Sequence, residues 1–407
     1  MRQAGAKRGV ALALALALAA AGAGAAGGRT WTVAQDGSGD FTVIQDAVDA
    51  AADGDVVEIG PGHYTEFQSE WGWGQDPDGI GKLYVRVDGA KSLTFIGAGA
   101  EATVIGPLDY VWGRGQIGFA CTAGPGTLRI ENLRLQNLNY VGVFARNHRL
   151  ELDGVVVEYC TDGAMCWNTV QSMSIANCEF LNAPPNTPVA TAILCRAPVA
   201  EVRDSRFIRY NTGIDMSRAG STDVLITGCM FDGAGVGVAG VVFSFSAGGV
   251  VEYCHFEDLR NYVFYLGGAG VVTFRYNTIE QGDNAGIGFD GVQSLTMHDN
   301  TIAECKWVGY IALPPQSHSI YNNYFFRRQT DDSYYFTTSD WFPYGPYYVD
   351  LRNNYWGTTD PEEISRWIYD GYDNPNVWIY VLFEPMADSP VPTEQKTWSE
   401  VKGMFRK

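Results

Sequence analysis

The chain has 407 residues, a formal net charge of −18 and 48 glycines. So acidic a chain repels nucleic acid and anionic membrane surfaces, which argues against both as partners. Its length suffices for one large elongated domain or two compact ones, and the glycine, asparagine and aromatic content suits an all-β protein with many turns.

In chain order the first element is a leader. Arg2, Lys7 and Arg8 precede an Ala/Leu run that ends in small residues near Ala23–Ala26, the layout of a secretory signal peptide, assigned to residues 1–28. Its removal takes away three positive charges, so −18 becomes −21. The mature chain is then expected to be secreted or periplasmic, with no membrane attachment. Next, "FTVIQDAVDAAADGD" (41–55) sets Ile44, Ala47, Val48 and Ala51 at helical spacing. Residues 29–66 therefore read as a strand and an amphipathic helix that covers the strand edges of the first coil.

Residues 67–385 read as a solenoid. "VVTFRYNTIEQG" (271–282), "SLTMHDNTIAEC" (294–305) and "SHSIYNNYFFRR" (317–328) share one shape, and further copies flank them. Aligned, they stack Leu133, Val155, Cys178, Ser205, Cys229, Cys254, Asn277, Asn300, Asn323 and Asn354 in one column, with steps of 22 to 31 residues. A period of this size with three short alternating strands per repeat predicts an all-β fold, a parallel β-helix of about ten or more coils. Asn277, Asn300, Asn323 and Asn354 are expected at a tight bend in left-handed backbone, their amides bonding from coil to coil as a ladder. Cys178, Cys229 and Cys254 share that column, where parallel Cβ vectors suit a disulfide poorly, so they read as buried thiols. A Cys160–Cys166 pairing stays open. Aromatic insertions break the period at 66–84 and 329–348, "DPEEISRWIYDGYDNPNVWIYVLFEP" (360–385) closes the far end, and 386–407 reads as a charged extension.

"VAQDGSGDFTVIQDAVDAAADGDVVEIGPGHYTE" (33–66) and "SLTFIGAGAEATVIGP" (92–107) resemble the opening of pectin methylesterases and of other secreted members of the pectin lyase-like superfamily. "NNYWGTTDP" (353–361) resembles the last coil of its bacterial members. The resemblance implies a right-handed parallel β-helix over roughly 33–385. It does not carry an activity, because fold does not fix function. The methylesterase Val-Asp-Phe-Ile-Phe-Gly and Arg-Pro-Trp stretches are absent, and its Gln-Asp dipeptides occur only near the N-terminus. "NTGIDMSRAGSTDVLITGCMFDGAGVGVA" (211–239) resembles polygalacturonases, but Ala234-Gly235 stand where their paired acids would be.

In enzymes of that superfamily substrate lies along the strand after the long turn of each coil. Applied here, the resemblance gives an outward stripe of Phe144, Arg146, Asn168, Arg196, Asp215, Ser217, Tyr265, Asp290 and Tyr310. Arg196 and Asp215, on adjacent coils, are the catalytic candidates for a lyase or else a surface salt bridge. Arg146, Asn168, Tyr265, Asp290 and Tyr310 are the substrate-binding candidates. Asp215 and Asp290 lie three coils apart, about 14 Å at strand spacing, too far for a glycosidase carboxylate pair. Lyase-type chemistry is thus favoured over hydrolysis. No cofactor is required; a Ca²⁺ cage is not visible, and "DPDG" (76–79) reads as a turn. No metal site is expected, and His255 and His298 read as solvated.

The expectation is a monomeric exported protein that binds an extracellular polysaccharide. The sequence leaves open whether it also cleaves it; the alternative is a non-catalytic surface or envelope scaffold. The stretch from Thr127 to Arg218 carries nine Arg and nine acids, whereas Ala219 to Phe326 carries ten acids and three bases. An anionic glycan is therefore expected near Arg146 and Arg196.

Overall fold

The structure is a computed structural model that describes residues 28–71, 81–110, 115–121, 123–167, 170–181, 190–216, 223–233, 239–244, 247–260, 262–280, 286–305, 308–313, 317–327, 334–339 and 345–389. The segment expected to be a signal peptide, save its last residue, and residues 390–407 of the expected charged extension lie outside them. The chain winds into a parallel β-solenoid of about ten turns, about 24 residues each. One coil shows the pattern. His148–Asp153 lies in the first sheet, Val156–Glu158 in the second and Asp162–Cys166 in the third, and Ser172–Ala176 returns to the first sheet one coil up. Among the described residues the three sheets hold twelve, eleven and thirteen strands. Pairing is parallel throughout these sheets except for Gln68–Trp71, which runs antiparallel to Gly81–Val87.

Period-2 alternation sends one face of every strand inward. Inner positions stack in columns, and in the second sheet Phe180, Phe207, Phe231 and Phe256 lie ring on ring, with centroids 5.2, 4.7 and 4.7 Å apart and planes within 9°. The third sheet makes room for these rings with glycine. A Cβ at Gly213 would meet the Phe231 ring at 2.6 Å and the Gly240 carbonyl oxygen at 2.7 Å.

The asparagine column forms the expected ladder. Asn300 Nδ2 donates to Asn323 Oδ1 at 2.8 Å and to the Phe274 carbonyl at 2.9 Å. Its own Oδ1 accepts from the backbone N–H and the amide of Asn277. Asn323 repeats this toward Asn354, and Asn277 Oδ1 accepts from Cys254 N–H at 2.9 Å. The left-handed residue is not the asparagine itself but the one before it. Tyr276, Asp299, Asn322 and Asn353 carry φ of 56°, 55°, 56° and 60°. The left-handed residue bends the chain from the first sheet into the second, and the buried residue after it is where an amide can meet its neighbours. All eight cysteines are free and buried, including Cys160 and Cys166. Burial pushes Cys178 and Cys160 up to about 12, so both stay protonated.

Both ends are closed. Helix α1 (Ile44–Ala50) packs Ile44, Ala47 and Val48 on the first coil. Its Gln45 side chain accepts from Arg86 N–H at 2.9 Å and donates to the Arg86 carbonyl at 3.1 Å, standing in for a strand neighbour at the sheet edge. At the other end helix α2 (Pro361–Ser365) is capped by Asp360, which accepts from Glu362 N–H at 2.9 Å. Trp356, fully buried, packs on Phe325 and Phe336 at 5.0 and 5.6 Å. Tyr347–Asp350 pairs with Ile379–Leu382 beyond the last regular coil. There His318 Nε2 accepts the Asp350 N–H at 2.8 Å. The insertions are partly built into the fold: 66–84 supplies the antiparallel pair and 329–348 supplies the third-sheet strand Phe336–Thr338.

Replacing Asn300 with Leu removes both amide donors and the acceptor for Asn277. Thermal or denaturant unfolding should show a loss of about 2–4 kcal/mol; an unchanged midpoint would show that the ladder does not hold the coils together. A second expectation concerns pH. Burial holds His148 and His318 below their ordinary 6.5. The unfolded chain therefore binds protons at these sites more readily than the folded one. Their stabilising share is complete above 6.5 and is lost as pH falls from there toward the lowered folded values. His318→Gln, which keeps an acceptor for Asp350 N–H, should flatten part of this acid slope in a melting-temperature series; an unaltered slope counts against the assignment.

Candidate functional site

The outer face of the third sheet carries most of the sequence-predicted site. Register aligns Phe144, Met165, Leu194, Asp215, Val242, Tyr265, Gly288 and Tyr310 in one row across successive coils. The early part of this face is not accessible. Leu83, Ile117, Val141, Phe144, Met165 and Leu194 form a second apolar cluster, each at most 9% exposed, with Trp167 packed against it. Phe144 is outward, as expected from alternation, but it is buried and presents no surface to a ligand.

A second row lies just past these strands. Arg146 N–H donates to the Cys121 carbonyl, Trp167 N–H to that of Ala145 and Arg196 N–H to that of Cys166, at 2.8 to 3.0 Å. The row is therefore Arg146, Trp167, Arg196. The sequence reading put Asn168 in it, but the register places Trp167 there, and Asn168, like Ser217, lies outside the described residues. The Arg196 guanidinium sits over the Trp167 ring, 4.0 Å from its centroid. Leu194 pairs with Asp215, so Arg196 and Asp215 are on adjacent coils. Among the described residues no ion pair joins them, although each has other interactions. The guanidinium's contact to the Trp167 face, one coil below, is a cation–π contact.

Further along, Tyr262, Tyr265, Asp290 and Tyr310 come together. Tyr265 Oη donates to Asp290 Oδ2 at 3.2 Å. The Tyr262 and Tyr265 rings are 5.2 Å apart, and a Cβ at Gly288 would meet either ring at 2.9 Å. The tyrosines thus lean over a glycine floor. Tyr265 is held above the usual tyrosine range, first by burial and then by the Asp290 charge; Tyr262 is raised by burial, then by Tyr310 and Asp290.

Tyr262 was not legible from alternation, which puts residues 262 and 265 on opposite faces. The pairing register shifts between Tyr262 and Phe264, and Val263 and Phe264 are both buried. This bulge brings both tyrosines outward. The register keeps Asp215 and Asp290 three coils apart. Among the described residues no three His, Cys, Asp or Glu side chains converge as a metal site. His255 is a correction to the sequence reading: it is 5% exposed, with Nε2 3.6 Å from Glu257 Oε2, because its column opens the second-sheet strand beside the bend. His298 is partly buried, stacked on Tyr321 at 5.2 Å and bonded to Asp299 at 2.6 Å.

Comparison with known families adds to this geometry. The model of the right-handed β-helix region matches residues 191–326 and, again, 239–354. The chain is a β-helix repeat protein. The resemblance to the pectin lyase-like superfamily is consistent with that result. No curated protein matches the chain.

Proposed function

We propose that this β-helix protein is an exported polysaccharide-binding protein and that the glycan lies along the outer face of the third sheet. The observation that carries this reading is the group of Tyr262, Tyr265 and Tyr310 around Gly288, with the Asp290 carboxylate beside them. A tyrosine ring presents an apolar face to the C–H side of a sugar and a hydroxyl to its polar edge. Four coils away in the row of Asp290, Arg196 on Trp167 adds a cation and a second aromatic face. Parallel coils place these contacts in line, as an extended polymer requires. Export is supported by the basic, then Ala/Leu-rich N-terminal segment.

Cleavage is a separate matter. An elimination would need a base near one uronate and a cation to neutralise its carboxylate. Arg196 and Asp215 are the residues whose adjacent coils suit those parts.

A panel of neutral and uronate oligosaccharides, read by calorimetry with product detection, tests the reading. Tyr310→Ala should weaken neutral-sugar binding about tenfold, or about 1.4 kcal/mol, with little change in salt dependence. Arg196→Ala should weaken uronate binding and flatten its salt dependence together. If cleavage occurs, unsaturated-uronate absorbance should appear with wild type and vanish with Asp215→Asn. No response from any glycan would leave the non-catalytic scaffold as the function.

A further inference from the structure

The third-sheet face is not electrically uniform, and its far half has one charge. From Ala239 to Thr338 its described outward side chains include Val242, Tyr262, Tyr265, Asp290, Tyr310 and Thr337. On the described third-sheet strands of this half, Ala239–Ser244, Tyr262–Gly267, Gly286–Asp290, Gly309–Leu313 and Phe336–Thr338, Asp290 is the one carboxylate and there is no Lys or Arg. Its hydrogen-bond partner among the described residues is the Tyr265 hydroxyl, at 3.2 Å. An ionised carboxylate accepts at about four sites, so one donor leaves most of that capacity turned to the ligand side.

We infer that Asp290, with Tyr262, Tyr265 and Tyr310, is a subsite for a sugar bearing a free amine, a 2-amino-2-deoxyhexose unit within the polysaccharide. The inference rests on the polysaccharide-binding reading and names the residue class this part of the face takes. A uronate here would set its carboxylate against Asp290 on a chain of net charge −18. A neutral hexose would offer hydroxyl donors only. An ammonium supplies three N–H donors and the opposite charge, and a charge-assisted hydrogen bond is about twice as strong as a neutral one. The tyrosines then stack on the ring while the amine reaches the carboxylate.

The same row gives the face a direction. Ser244 pairs with Gly267 and Gly267 with Asp290, so Asp290 stands four coils beyond Arg196 in one line, about 19 Å at strand spacing. One end of the row is cationic and aromatic, the other anionic and aromatic. A polymer carrying acidic and amino sugars would lie on it in one orientation.

The test uses the full chain and three tetrasaccharide probes: glucosamine, its N-acetylated counterpart and galacturonate. Wild type should bind the amine form about tenfold tighter than the N-acetylated form at low salt. That preference should fall with added salt and as rising pH takes the amine proton. Asp290→Asn should bring the ratio near one. Glu58→Gln, which removes an equal charge from the exposed outer face of the first sheet, should leave the ratio unchanged. Tyr265→Phe keeps the ring and frees Asp290 of its hydroxyl, so the amine preference should persist or grow. An equal drop in both acid variants would mean a general attraction of the cation to an acidic protein and would overturn the inference. If Tyr310→Ala weakens neutral binding but Asp290→Asn leaves the ratio intact, the inference fails and the glycan-binding reading stands. If Tyr310→Ala changes nothing, both fail.

Discussion

Everything in this molecule depends on parallel pairing in register between successive coils. At a strand spacing of about 4.8 Å each residue sits directly on its equivalent one coil below, so a side chain must be compatible with a copy of its own kind. Amides meet this condition by donating to the next amide's oxygen, as in the ladder from Asn277 to Asn354. Flat rings meet it by stacking, as in the phenylalanine column. Cysteines meet it as small protonated apolar groups: the Cys254 thiol lies within reach of the Glu252 carbonyl at 3.3 Å. The interior thus consists of a few self-compatible columns, and each column changes type only where a coil can tolerate the switch.

Charges have no such solution alone, since like charges in register repel. On the outer faces of the first two sheets, several stacked pairs join opposite signs. Arg206 meets Glu179 at 3.1 Å and Arg275 meets Glu252 at 2.7 Å, each across one coil boundary. These half-exposed pairs add little stability, but they remove the repulsion that a uniform column would carry. Where like charges meet instead, the effect is visible. Glu280 is held above the usual carboxylate range first by burial and then by the like charge of Glu304. The third sheet differs again: its outer face is charge-poor, so one carboxylate or one guanidinium decides its local character.

The fold was legible because self-compatibility writes itself into the sequence as a period. The Asn and Cys column, the helix built on Ile44, Ala47 and Val48, and the outward positions of Tyr265, Asp290 and Tyr310 all followed from spacing and alternation. What spacing could not show were local departures from it. The bulge beside Val263 is a backbone event with no residue signature, and it hid Tyr262. Asn168 was placed out of register: with Ala145 paired to Cys166, plain alternation already gives Trp167 as the equivalent of Arg146. The left-handed site was placed on the asparagines because asparagine tolerates that conformation, whereas Tyr276 adopts it with no such preference. Burial of Phe144 depends on what covers the outer face, and His255 on how its column meets the bend; neither is a property of one coil's pattern.

The ladder has a consequence for how such a protein can change. Because Asn277, Asn300 and Asn323 are interchangeable rungs, a duplicated or deleted coil would find the same neighbours above and below and leave the interior undisturbed. On the outer face the same event would move every feature beyond it by one whole step along the axis. Tyr265 and Tyr310, two coils apart, could become neighbours or drift further apart, but never by a fraction of a step. The axial distances between groups on this surface are therefore quantised: they are multiples of the strand spacing, and any ligand laid along it would meet its contacts only at those intervals.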